Sequence, residues 1–410
     1  MKRADIVVVG GGIWGLSTAL HLAWKDRAQR IVVLERNAEF AGETTRQAAG
    51  QIGQLRSDPL MAEAVQYTLH LLSTFRQRTG HDPGFVESGS LHLAQSDARM
   101  ESFLLQLQHA RSLGIDVEHI DGDAISRIAP TVNARELVGA LYIPSDGYVD
   151  ARQSALAYGA AAKDLGVDLR ANTETQQLIL RNGRVVGVET NDGTIECRSV
   201  VVTAGPWTKS LAALAGVPLP VQAIRLQQAR TVADVLQPHN HPVVRIPDES
   251  CYLRPESGGY LFGFFDAHPE ALDATRGMTT ADIHPPKHLI EYARERLAKL
   301  FPALDRLPIE QYRQGMVTCS PDAAYVLGTL PGVAGVWLAT GCGGMGIAGS
   351  GAVGRWLADW VLDGRPAADL SSLAVDRFGK RAHDRAWVRE EARRVCSRYY
   401  ALESVTYSLG

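Results

Sequence analysis

From Asp5 to Val9 the chain is a short apolar, β-branched run, the pattern of a parallel strand covered on both faces. A glycine turn follows at Gly10–Gly12, and Ile13–Trp24 then sets apolar residues at helical spacing. Arg30–Leu34 reads as the next buried strand, ending at Glu35. Residues 57–79 and 97–113 predict amphipathic helices, with an alternating strand, Phe85–Ala94, between them. Ala151–Gly166 predicts another helix. Val167–Leu180 and Arg184–Thr190 read as antiparallel strands joined by Arg181-Asn182-Gly183. Val200–Thr203 is again a buried strand, closed by Ala204-Gly205-Pro206.

The middle of the chain changes character. Alternation dominates from Val221 to Asp266, broken by turn signals at Pro247-Asp248 and at Glu256-Ser257-Gly258-Gly259. A helix is expected over Pro286–Leu300 and a strand over Gln311–Cys319; Val336–Ala339 then returns as a buried strand, followed by a glycine-rich turn and a helix from Gly346 to about Leu362. The implied fold is α/β: a doubly wound, Rossmann-like domain drawn from 1–84, 141–218 and 312–375. It is interrupted by an α+β substrate domain on an antiparallel sheet, from 85–140 and 219–311. The tail, 376–410, reads as a charged extension, helical as far as Arg398.

Composition narrows the classes. A chain of 410 residues, 45% hydrophobic and 21% charged, can bury a large core and is neither disordered nor fibrous. A net charge of −3 offers no electrostatic footprint for nucleic acid or an anionic membrane. Five scattered cysteines, an odd number and never in CxxC spacing, point to reduced thiols rather than a disulfide frame or zinc site. None of the histidines has metal-ligand spacing; His239 and His241 flank Asn240 in an expected loop. The glycines after Val9 cut short what could pass for a signal peptide. Arg355, Asp359 and several glycines do the same for a membrane span over Val333–Leu362. A soluble, cytoplasmic protein is expected.

Gly10-Gly11-Gly12-Ile13-Trp14-Gly15 satisfies GxGxxG, and Glu35 follows about 20 residues on at a strand end. In that context it is a dinucleotide fingerprint. Gly10 allows the tight turn, Gly12 the approach of a pyrophosphate to a helix N-terminus, and Gly15 close helix–strand packing; Glu35 would accept from a ribose hydroxyl. The fingerprint alone does not separate NAD from FAD. Three further returns to the cofactor suit the longer FAD: the loop Gly42–Gly50 with Thr44, Thr45 and Arg46; the strand ending at Ala204-Gly205; and the turn Gly341–Gly346.

Together with Val149-Asp150, Ser320-Pro321-Asp322 and Val375–Phe378, these segments resemble the D-amino-acid oxidase superfamily, up to about Phe378. Ala339–Gly346 through Gly354-Arg355 is most similar to its sarcosine oxidase, sarcosine dehydrogenase and dimethylglycine dehydrogenase branch. The resemblance implies FAD and oxidation of a C–N bond, with the helix opening at Gly346 turning its positive dipole end to the flavin. The candidate cofactor set therefore also takes in Ile13, Trp14, Arg36, Gln51, Thr175, Trp207, Gly343, Gly344, Met345 and Ile347.

Departures from that branch matter. Gly315 stands where sarcosine oxidases carry a flavin-linking Cys, which implies noncovalent FAD. Gly53 and Ala348 replace the Arg and Lys that hold the substrate carboxylate there, leaving Arg56, Arg225 or Arg254 as substitutes. Tyr252 matches an active-site tyrosine, and Met345 stands where a His is usual. Leu261 takes the place of a Lys that speeds reaction with oxygen, and Phe265 that of a nearby His. The implied activity is oxidation of a secondary or tertiary amine or N-methylated amino acid, by a dehydrogenase passing electrons to a quinone or protein. The alternatives are a D-amino-acid oxidoreductase acting on primary amines, and a flavin-carrying subunit of a larger complex for which 376–410 could be a docking element. An oligomer is compatible with any of these.

Overall fold

The computed structural model describes residues 3–238 and 240–401. Its centre is a six-stranded sheet in the order Val326–Thr329, Val336–Thr340, Ser199–Val202, Ile6–Val9, Ile31–Leu34 and Asp168–Arg170. Only the first pair is antiparallel. The run Ile6–Val9 shows why a fully apolar strand was needed. Ile6 and Val8 pack among the helices Ile13–Lys25, Ala151–Asp164 and Ser350–Asp363. Val7 and Val9 point the other way, into a core shared with the three-stranded sheet Thr175–Arg181, Arg184–Thr190 and Gly193–Glu196. This is the doubly wound arrangement expected from the alternation of strand and helix.

The second sheet has nine strands and is antiparallel except where Val243–Ile246 pairs with Ser90–Ala94. Its long strands Gln222–Thr231, Cys251–Glu256 and Gly259–Phe264 expose no position, and Ile309–Cys319 is buried from Gly315 onward, so there the alternation of the sequence does not become a wet face. One side of this sheet faces the helix Lys287–Ala298. The other faces the parallel sheet across a cleft, and that arrangement positions the site. Gly139–Ile143 and Ile309–Cys319 both pair within this second sheet, so boundaries at 141 and 312 cut through its strands.

Three expected elements differ in detail. Phe85–Ala94 divides at Gly89, which has a φ of +73°, and its halves join different sheets. Val167–Leu180 divides at Asn172, with a φ of +52°, so that Asp168–Arg170 becomes the parallel edge strand beside Ile31–Leu34. The helix expected from Gly346 starts at Ser350, because Gly341, Gly343 and Gly344 all lie at positive φ and 346–349 is still turn. The extension is helical over Arg385–Ser397, capped by the Asp384 carboxylate. It packs on the strands Gln222–Thr231 and Ile309–Cys319, with Ala392 and Cys396 against Ile224, Val317 and Cys319. No described helix is long and apolar enough to cross a membrane. All five cysteines are free thiols, and no described cluster of side chains could hold a metal.

Candidate active site

A cleft of about 560 Å³ runs between the two sheets, from Glu35 and Thr175 at one end to Tyr252 and Arg245 at the other. Its first end is built from backbone. Gly10 sits at φ +109°, a conformation that only glycine holds at little cost. A Cβ at Gly15 would overlap the Gly10 carbonyl oxygen, so this glycine is fixed by helix–strand packing. Gly12 is different. Its φ is −78°, and a Cβ there would meet only the Thr45 hydroxyl, at 3.4 Å. Nothing within the protein requires glycine at 12; the space it leaves open is cleft.

Glu35 is held in place before any ligand arrives. Its carboxylate accepts from the backbone N–H groups of Gly11 and Asn37, both at 2.9 Å. Burial raises its pKa and these two bonds oppose the rise. Thr45 caps the first helix from a distance, its hydroxyl accepting from Ile13 N at 3.2 Å. Trp14 donates to the Gly346 carbonyl at 2.7 Å, tying that helix to the glycine-rich turn. Arg36 lies over the Trp207 ring at 4.0 Å and donates to the carbonyls of Arg276 and Met278, closing the outer side. The buried hydroxyl of Thr175 and the side-chain amide of Gln51 line the cleft with no partner in the protein.

Gly10, Gly12, Ile13, Trp14, Glu35, Arg36, Thr44, Thr45, Gly50, Gln51, Thr175, Ala204, Gly205, Trp207, Gly344, Met345, Gly346 and Ile347 all line this cleft. Gly15 lies behind the wall. Gly343 serves the turn, where a Cβ would meet the Ala323 carbonyl at 2.8 Å. Arg46 is exposed and turns outward to Glu39, at 3.8 Å. An open cradle at Gly12, an acceptor at Glu35, unpartnered polar groups at Thr175 and Gln51 and a long, narrow cleft together fit an extended dinucleotide such as FAD.

The second end is built from side chains on the antiparallel sheet. Tyr252 is buried beside Gln228, its hydroxyl 3.4 Å from the Gln228 amide oxygen, and Gln228 in turn donates to the Gln47 carbonyl at 2.6 Å. Burial pushes the Tyr252 phenol well above its usual range, so it stays protonated. Arg56 and Arg245 line the cleft, and the Nε of each is buried without a partner. Burial disfavours the Arg245 charge, but Tyr400, Tyr399 and Asp146 around it outweigh that and raise its pKa. Asp146, fully buried, is held by Ser90, at 2.5 Å, and by the Gln54 backbone N–H, at 3.0 Å.

Three expected substrate-end residues stand elsewhere. Arg225 pairs with Glu270 and lies off the cleft wall. Arg254 is buried behind the wall, donating to the carbonyls of Ala49 and Pro255 and pairing with Glu256 at 2.6 Å. Leu261 is fully buried opposite Arg254 and Arg230, two pairing rows beyond Tyr252 and Gly263, and does not reach the cleft. Met345 does line the cleft, and its carbonyl accepts from the Tyr325 hydroxyl at 2.9 Å. His241 is buried against Thr131, away from the cleft, and His239 lies outside the described residues.

Sequence reasoning missed Arg245, Gln228, Tyr399 and Tyr400, and placed Gln47 only within the cofactor loop. Arg245 carried one signal. A Cβ at Gly53 would lie 2.7 Å from its guanidinium, so Arg245 fills the room that a side chain at 53 would have taken.

The chain resembles known proteins over nearly its whole length. It is 30% identical over 98% of its length to the mouse mitochondrial pyruvate dehydrogenase phosphatase regulatory subunit, covering 46% of that protein. It is 29% identical over 97% of its length to 4-methylaminobutanoate oxidase (formaldehyde-forming) of Paenarthrobacter nicotinovorans, covering 48%. It thus spans about half the length of these relatives. Among solved structures, glycine oxidase of Geobacillus kaustophilus superposes with a TM-score of 0.79 at 26% identity, over 92% of this chain and 99% of that one. Residues 5–360 match the family described as FAD dependent oxidoreductase, and the chain belongs to that family.

Proposed function

We propose that the protein oxidises the C–N bond of a small secondary or tertiary amine that carries a carboxylate, such as an N-methylated amino acid. The observation behind this reading is the cleft itself, with a backbone cradle for FAD at one end and two arginines, Arg56 and Arg245, at the other, the Nε of each buried without a partner. Two such cations in one wall call for an anionic group. The substrates named for the oxidase from Paenarthrobacter and for glycine oxidase are both amines bearing a carboxylate.

FAD supplies the acceptor of the hydride that leaves the carbon next to nitrogen. The chain's own residues bind and orient. Arg56 and Arg245 hold the carboxylate, which fixes the distance of the amine from the cradle. Tyr252, kept neutral by burial, offers a hydrogen bond beside the reacting carbon and cannot serve as a base at ordinary pH. The amine must therefore arrive with a free lone pair, and water then hydrolyses the imine. Gly315 faces the cleft without a nucleophile, in keeping with noncovalent FAD.

The electron acceptor is read as a quinone or protein rather than oxygen, because Leu261 stands where the resembling sarcosine oxidases carry the Lys that speeds reaction with oxygen. The relationship to a phosphatase regulatory subunit keeps a second reading in play, that of a flavin-carrying subunit. Anaerobic mixing of the FAD-loaded protein with N-methylated, D- and unsubstituted amino acids separates these readings. Reduction by N-methylated acids is the expected result. Reduction by D-amino acids alone replaces it with the primary-amine reading, and reduction by none favours the subunit. Reoxidation in air-saturated buffer slower than turnover with a dye is expected of a dehydrogenase.

A further inference from the structure

The extension does not stop at the back of the sheet. After Ser397 the chain leaves its helix and turns into the cleft, where Tyr399 and Tyr400 join the wall. Tyr399 stacks on Phe265, with ring centres 4.0 Å apart and planes within 7°. Tyr400 stands edge-on to both, 5.4 Å from Phe265 and 5.0 Å from Tyr399. Phe265 in turn meets Tyr252 at 6.3 Å. On its other side Tyr399 reaches the glycine-rich turn, where a Cβ at Gly344 would lie 3.5 Å from its ring. One aromatic ring thus bridges the antiparallel sheet and the turn beside the cofactor cradle.

The segment is anchored. Arg99, almost wholly buried, donates to the Tyr400 carbonyl at 3.0 Å and pairs with Asp248 at 2.8 Å. Asp248 also accepts from Gln95 N at 2.9 Å. Both tyrosines face Arg245, so the aromatic wall and the cationic pair bound the same end of the cleft.

We propose that Tyr399 and Tyr400 are specificity-determining residues: they close the substrate end of the cleft, restrict it to small amines and shield it from solvent. This rests on the reading of that end as the substrate site. Phe265 supplies the surface on which the pair stacks, and Arg99 positions it. The rings share the end of the cleft with Arg56 and Arg245, so a carboxylate held there enters only on a compact molecule.

The test uses the FAD-loaded full chain with Tyr399→Ala, Tyr400→Ala and the double variant. Two readouts do not depend on turnover. Quenching of bound-flavin fluorescence by potassium iodide should rise at least about threefold in the double variant, because water then reaches the buried end. Titration with acetate and benzoate, followed by the flavin difference spectrum, should shift preference towards benzoate by about tenfold or more. Quenching and preference both unchanged in a folded, FAD-replete double variant would overturn the proposal. If the wild type binds neither carboxylate, the carboxylate-amine reading fails and iodide quenching alone decides the wall. If the alanine variants do not fold, nitration of the wild type by tetranitromethane decides. Tyr399 and Tyr400, located by peptide mass, should be protected by saturating acetate, and unprotected nitration would overturn the proposal.

Discussion

The two ends of the cleft are made of different materials. At the Glu35 end the contacts are backbone: a glycine at positive φ, N–H groups opening a helix, and a carboxylate fixed by two of its neighbours' amides. At the Tyr252 end they are side chains from strands far apart in sequence, with two tyrosines brought in from beyond residue 397. A backbone cradle demands particular residues at fixed spacing within one βαβ unit, so it leaves a local signature. A side-chain pocket demands only that register and pleat bring the right atoms together, and many sequences satisfy that.

The sharpest way to break this contrast is at neighbouring glycines. Gly12→Val should leave the fold intact, by circular dichroism and melting temperature, while abolishing FAD binding, because its Cβ meets only the Thr45 hydroxyl and otherwise faces the cleft. Gly15→Ala should instead fail to fold, since its Cβ collides with the Gly10 carbonyl. A Gly12→Val protein that retains FAD would deny the cradle.

A slightly smaller effect lies in the scaffold behind the cradle. His21, buried between Ser17 and Tyr67, has its pKa lowered from 6.5 to about 4, chiefly by burial. The unfolded chain takes up that proton first, so the stability conferred by the neutral ring is complete above about pH 6.5 and is lost as pH falls towards 4. The loss should reach about 3 kcal/mol, read by urea unfolding across that window. In His21→Gln the decline should be smaller by that amount. His92 at the other end is depressed in the same direction by burial, so some acid sensitivity should remain.

At the substrate end, Arg245→Ala or Arg56→Ala should raise KM for a carboxylated amine by the equivalent of about 1.5–3 kcal/mol, with FAD content unchanged. Arg225→Ala, whose side chain pairs with Glu270 off the cleft wall, should leave KM alone. Equal effects at Arg225 and Arg245 would erase the distinction between wall and support. The smallest change is expected from Glu35→Ala, which should weaken FAD by about 1–3 kcal/mol through lost charge-assisted hydrogen bonds, measured by titration of the apoprotein.

The fold was legible because strand and helix periods alternate cleanly around the glycine fingerprint. Errors fell where a single residue at positive φ, Gly89 or Asn172, split an apparently continuous strand. The substrate end was read through resemblance, and three of its residues were displaced for physical reasons. Arg254 satisfies the carbonyls of Ala49 and of its strand neighbour Pro255, Arg225 pairs across its own sheet, and Leu261 lies two pairing rows beyond Tyr252 and Gly263. Leu261→Lys would therefore bury a cation beside Arg254 rather than offer it to the cleft, and it does not test reactivity with oxygen. Arg245 was hidden because its partner in space, Gly53, is 192 positions away and signals only by lacking a side chain.

The central claim is that the cleft recognises a carboxylate at the end opposite the FAD cradle. It is tested most directly by anaerobic reduction of the FAD-loaded protein with the N-methylated amino acid that reduces it fastest and with the carboxamide of the same compound. The acid should reduce the wild type about tenfold or more faster than the amide at low concentration, and Arg245→Ala should remove most of that preference. Equal rates for acid and amide in the wild type would contradict the account.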